Sequence, residues 1–119
     1  MSETQTVTDT PGIARDLSAF QQNILTILAE EGRYGLAIKR ELEEYYQSEV
    51  NHGRLYPNLD DLVEMGLVEK SELDKRTNQY ALTEEGYQAL LDQLEWQVGW
   101  IAADDDRTED LQAVIEATL

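Results

Sequence analysis

Apolar side chains recur at three- and four-residue steps through the first half of the chain, and this spacing predicts three helices. They cover residues 13–31, 36–46 and 51–65, with Gly32 and Gly66 as the predicted ends of the first and the third. The side chains predicted to face a common core are Leu17, Phe20, Ile24, Ile27 and Leu28, then Ile38, Leu42 and Tyr45, then Leu55, Leu59, Leu62 and Val63.

Two short runs of alternating residues follow the helices, at residues 67–71 and 79–82. Both contain β-branched or aromatic side chains, and the polar stretch ELDKRTN between them is typical of a turn. We therefore predict a two-stranded β-hairpin with a seven-residue tip. Three helices followed by a hairpin are the order of a winged helix-turn-helix, whose third helix is the recognition helix.

The C-terminal part of the chain begins at Thr83, a predicted N-cap followed by two acidic residues. One helix is predicted to reach Ala103, and a last helix covers residues 108–119. The first of these has an apolar seam and two tryptophans, which is more apolar surface than the small winged helix-turn-helix needs to cover itself. We therefore predict a dimer interface on this helix. The residues assigned to it are Tyr87, Leu90, Leu91, Leu94, Trp96, Val98, Trp100 and Ile101. Alternatively, this helix folds back on the chain's own first helix.

These signals divide the chain into three regions. Residues 1–12 are polar, end in Pro-Gly and are predicted to be a flexible N-terminal tail. Residues 13–82 form the winged helix-turn-helix, and residues 83–119 form the dimerisation helices. The predicted fold class is mainly α with a small β-hairpin, a winged helix-turn-helix with a C-terminal dimerisation helix.

The net charge of −16 is unusual for a DNA-binding protein, because nucleic-acid-binding domains are usually basic. Seven of the nine Lys and Arg residues lie in residues 33–82, whereas residues 83–119 carry one basic and ten acidic side chains. Two explanations are open, adaptation to a salty cytoplasm and a functional acidic surface, and we favour the first. In molar salt the Debye length is only ~3 Å, so long-range repulsion from DNA would be largely screened.

The sequence contains no enzymatic or metal-binding motif. Cysteine is absent and His52 is the one histidine, which excludes disulfides, thiolate sites and paired imidazole ligands. No Gly-rich phosphate loop precedes a helix. We therefore expect no catalysis, no cofactor and no metal site. Neither a secretory signal nor an apolar run long enough to cross a membrane is visible, so we expect a cytoplasmic protein.

Side chains that can read base edges cluster at the start of the third helix. The cluster consists of Asn51, His52, Gly53, Arg54 and Asn58. Arginine can pair bidentately with guanine and asparagine with adenine, while glycine lets the backbone approach DNA closely. Taken singly, His52 could be a surface cap residue, and Arg54 could pair with Asp61 or another carboxylate. As a cluster without acids, they predict a DNA-binding site.

Basic and polar side chains in two other places support this prediction. In and beside the predicted hairpin tip they are Lys70, Lys75, Arg76, Thr77 and Asn78. A wing tip can contact a phosphate or insert an arginine into a narrow minor groove. Lys39 and Arg40 lie in the second helix, which crosses the DNA backbone in this motif. The alternative is that they pair with Glu43 and Glu44 on their own helix.

Three stretches together resemble the PadR-like winged-helix transcription regulators: GRYGLAIKRELE, GRLYPNLDDLVEMGLVEK and YALTEEGYQALL. The resemblance covers about residues 20–95, and with its acidity the chain is similar to a haloarchaeal member. It implies a homodimer whose recognition helices enter successive major grooves of a pseudo-palindromic promoter site, with wings at the flanking minor grooves. The chain departs from the usual pattern of this family in its net charge of −16. Because of this charge we expect cations at its interface with double-stranded DNA.

Two alternative functions stay open. The chain could be an acidic protein-interaction module or DNA mimic that binds a basic protein partner and never contacts DNA. It could also be a ligand sensor with a pocket between the wing and Trp96 or Trp100, a function that can coexist with DNA binding.

Overall fold

Five helices and a three-stranded antiparallel sheet form the part of the chain that the computed structural model describes, residues 16–74 and 77–119. In chain order the elements are α1 Ala19–Ile27, β1 Arg33–Tyr34, α2 Gly35–Tyr46, α3 His52–Glu64, β2 Val68–Asp74, β3 Thr77–Leu82, α4 Glu84–Ile101 and α5 Asp105–Thr118. The predicted winged helix-turn-helix fold is confirmed. The predicted tail at residues 1–12 lies outside the described residues.

Within the described residues, α1 is shorter than predicted at both ends. Ser18 is extended and forms a capping box, in which its Oγ accepts from the backbone N–H of Gln21 and Gln21 Oε1 accepts from the Ser18 N–H. Because this pairing satisfies amide groups that a helix start leaves open, α1 begins at the next residue. Its C-cap is Leu28 rather than Gly32. Gly32 instead lies against β3, where a Cβ would be 3.2 Å from the Tyr80 carbonyl oxygen.

α2 and α3 form the helix-turn-helix at the predicted positions. The prediction that Tyr45 faces the core is wrong, because Tyr45 is 69% exposed while Tyr46 packs against the core. Helical spacing explains the difference, since Tyr46 lies four residues after the buried Leu42 and shares its face. The C-cap of α2 is Gln47, whose φ of 56° lies in the left-handed region, and Asn51 is the N-cap of α3.

The core lies between the first three helices and the base of the sheet. Its buried apolar side chains are Phe20, Ile24, Leu25, Leu28, Ile38, Leu42, Val50, Leu55, Leu59, Leu62, Leu67, Val68, Tyr80 and Ala89. Burial raises the pKa of the Tyr80 phenol, whose ring enters the core from β3. α3 is thus anchored along one side by three of its leucines, which leaves its opposite side exposed.

The sheet has the strand order β1-β3-β2, so β3 is its central strand. β1 pairs Arg33 with Tyr80 and Tyr34 with Gln79 in antiparallel register. This two-residue strand was not predicted, because so short a segment has no alternating pattern. The sheet therefore has one strand more than the predicted hairpin.

The hairpin of β2 and β3 is the wing, and its strands are longer than predicted. β2 ends at Asp74 and β3 begins at Thr77, so the paired strands include five of the seven residues predicted as the tip. A β-bulge between Glu72 and Asp74 shifts the register near the tip, and Leu73 is 55% exposed there. Residues 75 and 76 lie outside the described residues.

The end of α3, the start of β2 and the start of α4 meet at a junction formed by Gly66, Leu67, Thr83 and Gly86. Gly66 has a φ of 82°, which favours glycine. Thr83, the predicted N-cap, donates from Oγ1 to the Gly66 carbonyl at 2.7 Å and accepts from the Gly86 N–H at 3.0 Å. Its own N–H donates to the Leu67 carbonyl at 3.1 Å. These bonds hold the three elements in fixed relative positions.

α4 leaves the core after its first turns, in which Gly86 and Ala89 are buried. α5 begins at Asp105 rather than at Thr108, because Asp104 acts as its N-cap and accepts from the backbone N–H of Arg107 at 3.0 Å. In the described structure α5 has no buried side chain. The last two helices therefore leave most of their surface uncovered by the single chain.

Candidate nucleic-acid interface

The first turns of α3 present polar side chains to solvent. Asn51, His52, Gly53 and Arg54 are exposed and Asn58 is half-buried. At Gly53 an added Cβ would meet Asn51 Oδ1 at 3.4 Å, an ordinary contact, so the backbone there is open to an approaching molecule. The structure thus brings the predicted α3 residues together at one end of one helix.

Two asparagines of this cluster also stabilise the helix. Asn51 Oδ1 accepts from the backbone N–H of Arg54 at 2.8 Å, which caps α3. Asn58 Nδ2 donates to the Arg54 carbonyl at 2.8 Å. The amide nitrogen of Asn51 and the amide oxygen of Asn58 take no part in these two bonds. Each asparagine therefore offers complementary hydrogen-bonding capacity to a base edge or a phosphate.

Arg54 lies over two aromatic rings that α1 and α2 supply. Its Cζ is 3.9 Å from the centroid of the Phe20 ring and 5.9 Å from that of Tyr46. Both distances are within the range of cation–π attraction. The alternative ion pair with Asp61 is not formed, and no carboxylate in the described part of the chain lies within salt-bridge distance of Arg54.

Tyr56 also belongs to this surface, although it is not among the residues predicted to bind DNA. Its ring stacks on His52, with centroids 5.4 Å apart and planes at 11°. Tyr56 also lies against Gly35 at the start of α2, where an added Cβ would be 2.5 Å from the Tyr56 hydroxyl. The i, i+4 spacing of His52 and Tyr56 is the signal that could have indicated this contact.

Lys39 forms an ion pair with Glu43 rather than facing solvent freely. Its Nζ is 2.7 Å from Glu43 Oε2, and the same oxygen accepts from the backbone N–H of Val50 at 3.0 Å. The hydrogen bond from Lys39, followed by the one from Val50, lowers the pKa of the Glu43 carboxyl. Glu43 thus links α2 to the turn before α3. The structure therefore contains the ion pair between Lys39 and Glu43 that was the alternative to a phosphate contact. Arg40 is exposed.

The wing residues are only partly described. Lys70 is exposed, with its Nζ 3.9 Å from a carboxylate oxygen of α3. Thr77 and Asn78 are half-buried in β3. Lys75 and Arg76, predicted as the basic tip, lie outside the described residues. The wing therefore projects beside α3 with at least one cation on the strand that adjoins it.

The two halves of α3 differ in charge. Asp60, Asp61 and Glu64 are all exposed in its C-terminal half, whereas its N-terminal half carries Arg54 and no acid. A phosphate backbone would be repelled by the C-terminal half unless cations intervened. Only the first two turns of α3 are electrostatically suited to direct contact with DNA.

Large apolar side chains of α4 are exposed in the single chain. Trp96 and Trp100 are 63% and 70% exposed, with their rings in edge-to-face contact at 6.4 Å. The other exposed members of the predicted seam are Tyr87, Leu91, Leu94, Val98 and Ile101. Leu90 is half-buried and packs against the core. Monomeric soluble proteins rarely leave large contiguous apolar patches uncovered.

A groove of about 660 Å³ runs between α1 and α4. Its apolar lining includes Leu17, Leu90 and Leu94, and its polar lining includes Asn23 and Gln97. Four members of the predicted seam, Tyr87, Leu90, Leu91 and Leu94, line this groove.

The described residues contain no group of three or more His, Asp or Glu side chains placed to hold a metal ion. Within the same residues, no helix is long and apolar enough to cross a membrane.

The model of the transcriptional regulator PadR-like family matches residues 24–92, which extend from α1 into α4 and make up more than half of the chain. The chain belongs to the PadR-like family of transcriptional regulators. The resemblance in the three sequence stretches is thereby confirmed.

Solved structures of RosR are similar to this PadR-like chain over nearly its whole length. The RosR of H. salinarum grown from NaBr is 68% identical, with 88% of this chain and 96% of that chain covered and a TM-score of 0.85. The complex hsRosR-S4 is 66% identical to this chain, with 92% of this chain and 96% of that chain covered and a TM-score of 0.88. A PadR family transcription regulator from Clostridium difficile shares the fold at 24% identity, with 67% and 88% covered and a TM-score of 0.58. No curated protein sequence gives a significant match.

Proposed function

We propose that this PadR-like regulator binds double-stranded DNA sequence-specifically, as a homodimer, in a high-salt cytoplasm. The observation that supports the proposal most is the exposed, acid-free N-terminal half of α3, with Arg54 flanked by Asn51 and Gly53. Those residue types read base edges, and a helix-turn-helix places them in the major groove. The wing then lies at the adjoining minor groove.

Within this proposal the side chains of α3 have different roles. Arg54 donates to a guanine edge, while the free amide ends of Asn51 and Asn58 bond to bases or phosphates. His52, supported by the ring of Tyr56, donates to a phosphate.

Outside α3, the contacts are to the DNA backbone and minor groove. Lys70, Thr77 and Asn78 contact the backbone from the wing, and Lys75 and Arg76 reach the minor groove. Arg40 is the phosphate contact from α2, because Lys39 is already paired with Glu43.

The homodimer rests on the exposed apolar seam of α4. Two tryptophans more than 60% exposed, with five further large apolar residues, need a cover that residues 16–74 and 77–119 of one chain do not supply. A second copy that packs seam to seam would bury both sets at once. The dimer then presents two α3 helices to two half-sites of a pseudo-palindromic promoter.

Cations complete the interface with DNA. The three exposed acids of α3, Asp60, Asp61 and Glu64, lie about two to three turns after Arg54. Phosphates close to these carboxylates need an intervening cation, which a potassium-rich cytoplasm supplies. Binding is therefore proposed to take up cations as well as to release them.

The test is a fluorescence anisotropy titration of the protein against a labelled fragment of its own promoter in molar KCl, with a scrambled fragment for comparison. Arg54→Ala should weaken binding to the promoter by roughly five- to 150-fold, because a lost bidentate base contact costs roughly 1–3 kcal/mol. Arg107→Ala on α5 is the matched control, since it removes the same charge from an exposed position outside the proposed site.

Equal losses in the two variants would contradict the site, since they would indicate a general charge effect. Wild-type protein that binds neither fragment but binds a basic protein would contradict DNA binding itself and favour the acidic interaction module.

A further inference from the structure

Arg54 belongs to α3, but the rings that hold its guanidinium belong to other helices. Phe20 comes from the start of α1 and Tyr46 from the last position of α2. The Phe20 centroid is 3.9 Å from Arg54 Cζ. One side chain of the proposed recognition surface is thus held by elements that make no base contact in the proposed complex.

The two rings form a fixed pair. Their centroids are 6.2 Å apart with planes at 22°, and the Tyr46 hydroxyl accepts from Asn23 Nδ2 at 2.9 Å. Phe20 is only 4% exposed, so the surrounding core restricts its rotation. Arg54, by contrast, is exposed. An exposed charged side chain therefore lies on two aromatic rings that pack against the core.

A contact of this kind suits an arginine that must bind a base. An arginine side chain has many rotamers, and a ring face restricts them before DNA arrives. A ring attracts the cation through its quadrupole and does not occupy the N–H donors as a carboxylate would. Because the contact is direct, molar salt screens it less than it screens long-range charge interactions.

We propose that Phe20 and Tyr46 are positioning residues that orient Arg54 for its base contact. Through them α1 and α2 contribute to DNA affinity and specificity without touching a base. The inference rests on the proposed function, because it assumes that Arg54 contacts DNA.

A double-mutant cycle in the full-length protein tests the inference. Phe20→Leu, Arg54→Ala and the double variant are titrated against the promoter fragment and the scrambled fragment in molar KCl. Phe20→Leu should weaken promoter binding about two- to fivefold in the presence of Arg54, the range expected for one exposed cation–π contact. In the R54A background the same substitution should leave affinity unchanged, and scrambled DNA should show no difference.

Two further sets of variants separate positioning from stability. Ile24→Val on the same helix removes buried volume without removing a ring, so it should leave DNA affinity unchanged. Tyr46→Phe should bind like the wild type or within about twofold of it, because it keeps the ring, whereas Tyr46→Leu should lose affinity as Phe20→Leu does. The Tyr46 pair also replaces Phe20→Leu if that variant does not fold.

Each outcome decides the inference. A loss that disappears in the R54A background supports it. An equal loss in both backgrounds, or an equal loss on scrambled DNA, overturns it while leaving DNA binding intact. Full promoter binding by Arg54→Ala also overturns it, because Arg54 would then not be a DNA contact, although the protein would still bind DNA. Absence of promoter binding by the wild type overturns the proposed function, which is a distinct result.

Discussion

Gly86 allows α4 to approach the start of β2, and replacing it tests the junction directly. A Cβ at this position would collide with the Leu67 carbonyl oxygen and would lie 2.7 Å from Leu82 Cδ1. Leucine side chains can adjust, but the Leu67 carbonyl is backbone and accepts from the Thr83 N–H. The collision therefore has to be relieved by moving α4 or β2.

Gly86→Ala should cost about 2 kcal/mol of unfolding free energy or more, since overpacking costs about 1–3 kcal/mol even when side chains can move. For a chain of this size that corresponds to a fall in Tm of roughly 8 °C, at about 4 °C per kcal/mol. Gly99→Ala is the matched control on the same helix, because no heavy atom of the described structure lies within 4 Å of its added Cβ. It should raise stability by about 0.5–1 kcal/mol through helix propensity.

Thermal unfolding followed by far-UV circular dichroism, at one protein concentration and in molar KCl, measures both variants. Opposite signs for the two alanines on one helix are the expected result. Gly86→Ala with the stability of the wild type would refute the packing of α4 on Leu67, because a Cβ cannot fit that geometry without displacement.

Three further predictions follow from other contacts. Trp100→Ala should raise the dissociation constant of the dimer at least thirtyfold, because loss of an interface hot spot costs about 2 kcal/mol or more. Gln97→Ala should leave this constant unchanged, and light scattering on serial dilution measures both variants. The Glu43 carboxylate should contribute stability that is lost as pH falls from the ordinary glutamate pKa through the lowered pKa of Glu43. Thermal melts at several pH values should therefore show a smaller loss of stability for Glu43→Gln than for the wild type. Promoter affinity should be flat or rise with KCl; a steep negative log–log slope, about −0.9 for each phosphate contact, would contradict cation uptake.

Local chemistry explains which parts of the fold were predictable. The N-cap Thr83 was identified correctly, because capping depends on a side chain and the amides of the next turn. The apolar spacing of α1 and α3 also identified their buried faces. Tyr45 was misassigned because two adjacent tyrosines fit the pattern almost equally well, and only the packed core distinguishes them.

Pairing between distant segments explains the errors in the sheet. β1 is a strand only because Arg33 and Tyr34 meet β3, more than forty residues later in the chain. The last part of β2, residues 72–74, is exposed throughout, so its sequence resembles a polar loop. Backbone hydrogen bonds to β3 define it, and those leave no trace in side-chain alternation.

The candidate site was predictable in composition but not in arrangement. The residue types of the α3 cluster could be recognised from sequence because each has a known hydrogen-bonding capacity. The contact of Arg54 with Phe20 could not be recognised, because the two residues are far apart in the chain and belong to different helices. His52 on Tyr56 was closer to prediction, since it depends on helical spacing alone.

The junction separates two kinds of specificity in the proposed dimer. Gly66, Thr83 and Gly86 fix the end of α3 to the start of α4, so the seam of α4 determines the distance and angle between the two recognition helices. Half-sites in helix-turn-helix operators lie about 34–36 Å apart, one turn of the duplex, and this spacing must be set by a rigid connection. In the proposed complex, base preference depends instead on the first turns of α3 and on the rings that contact Arg54. Substitutions at the junction therefore act on operator spacing, whereas substitutions around Arg54 act on operator sequence.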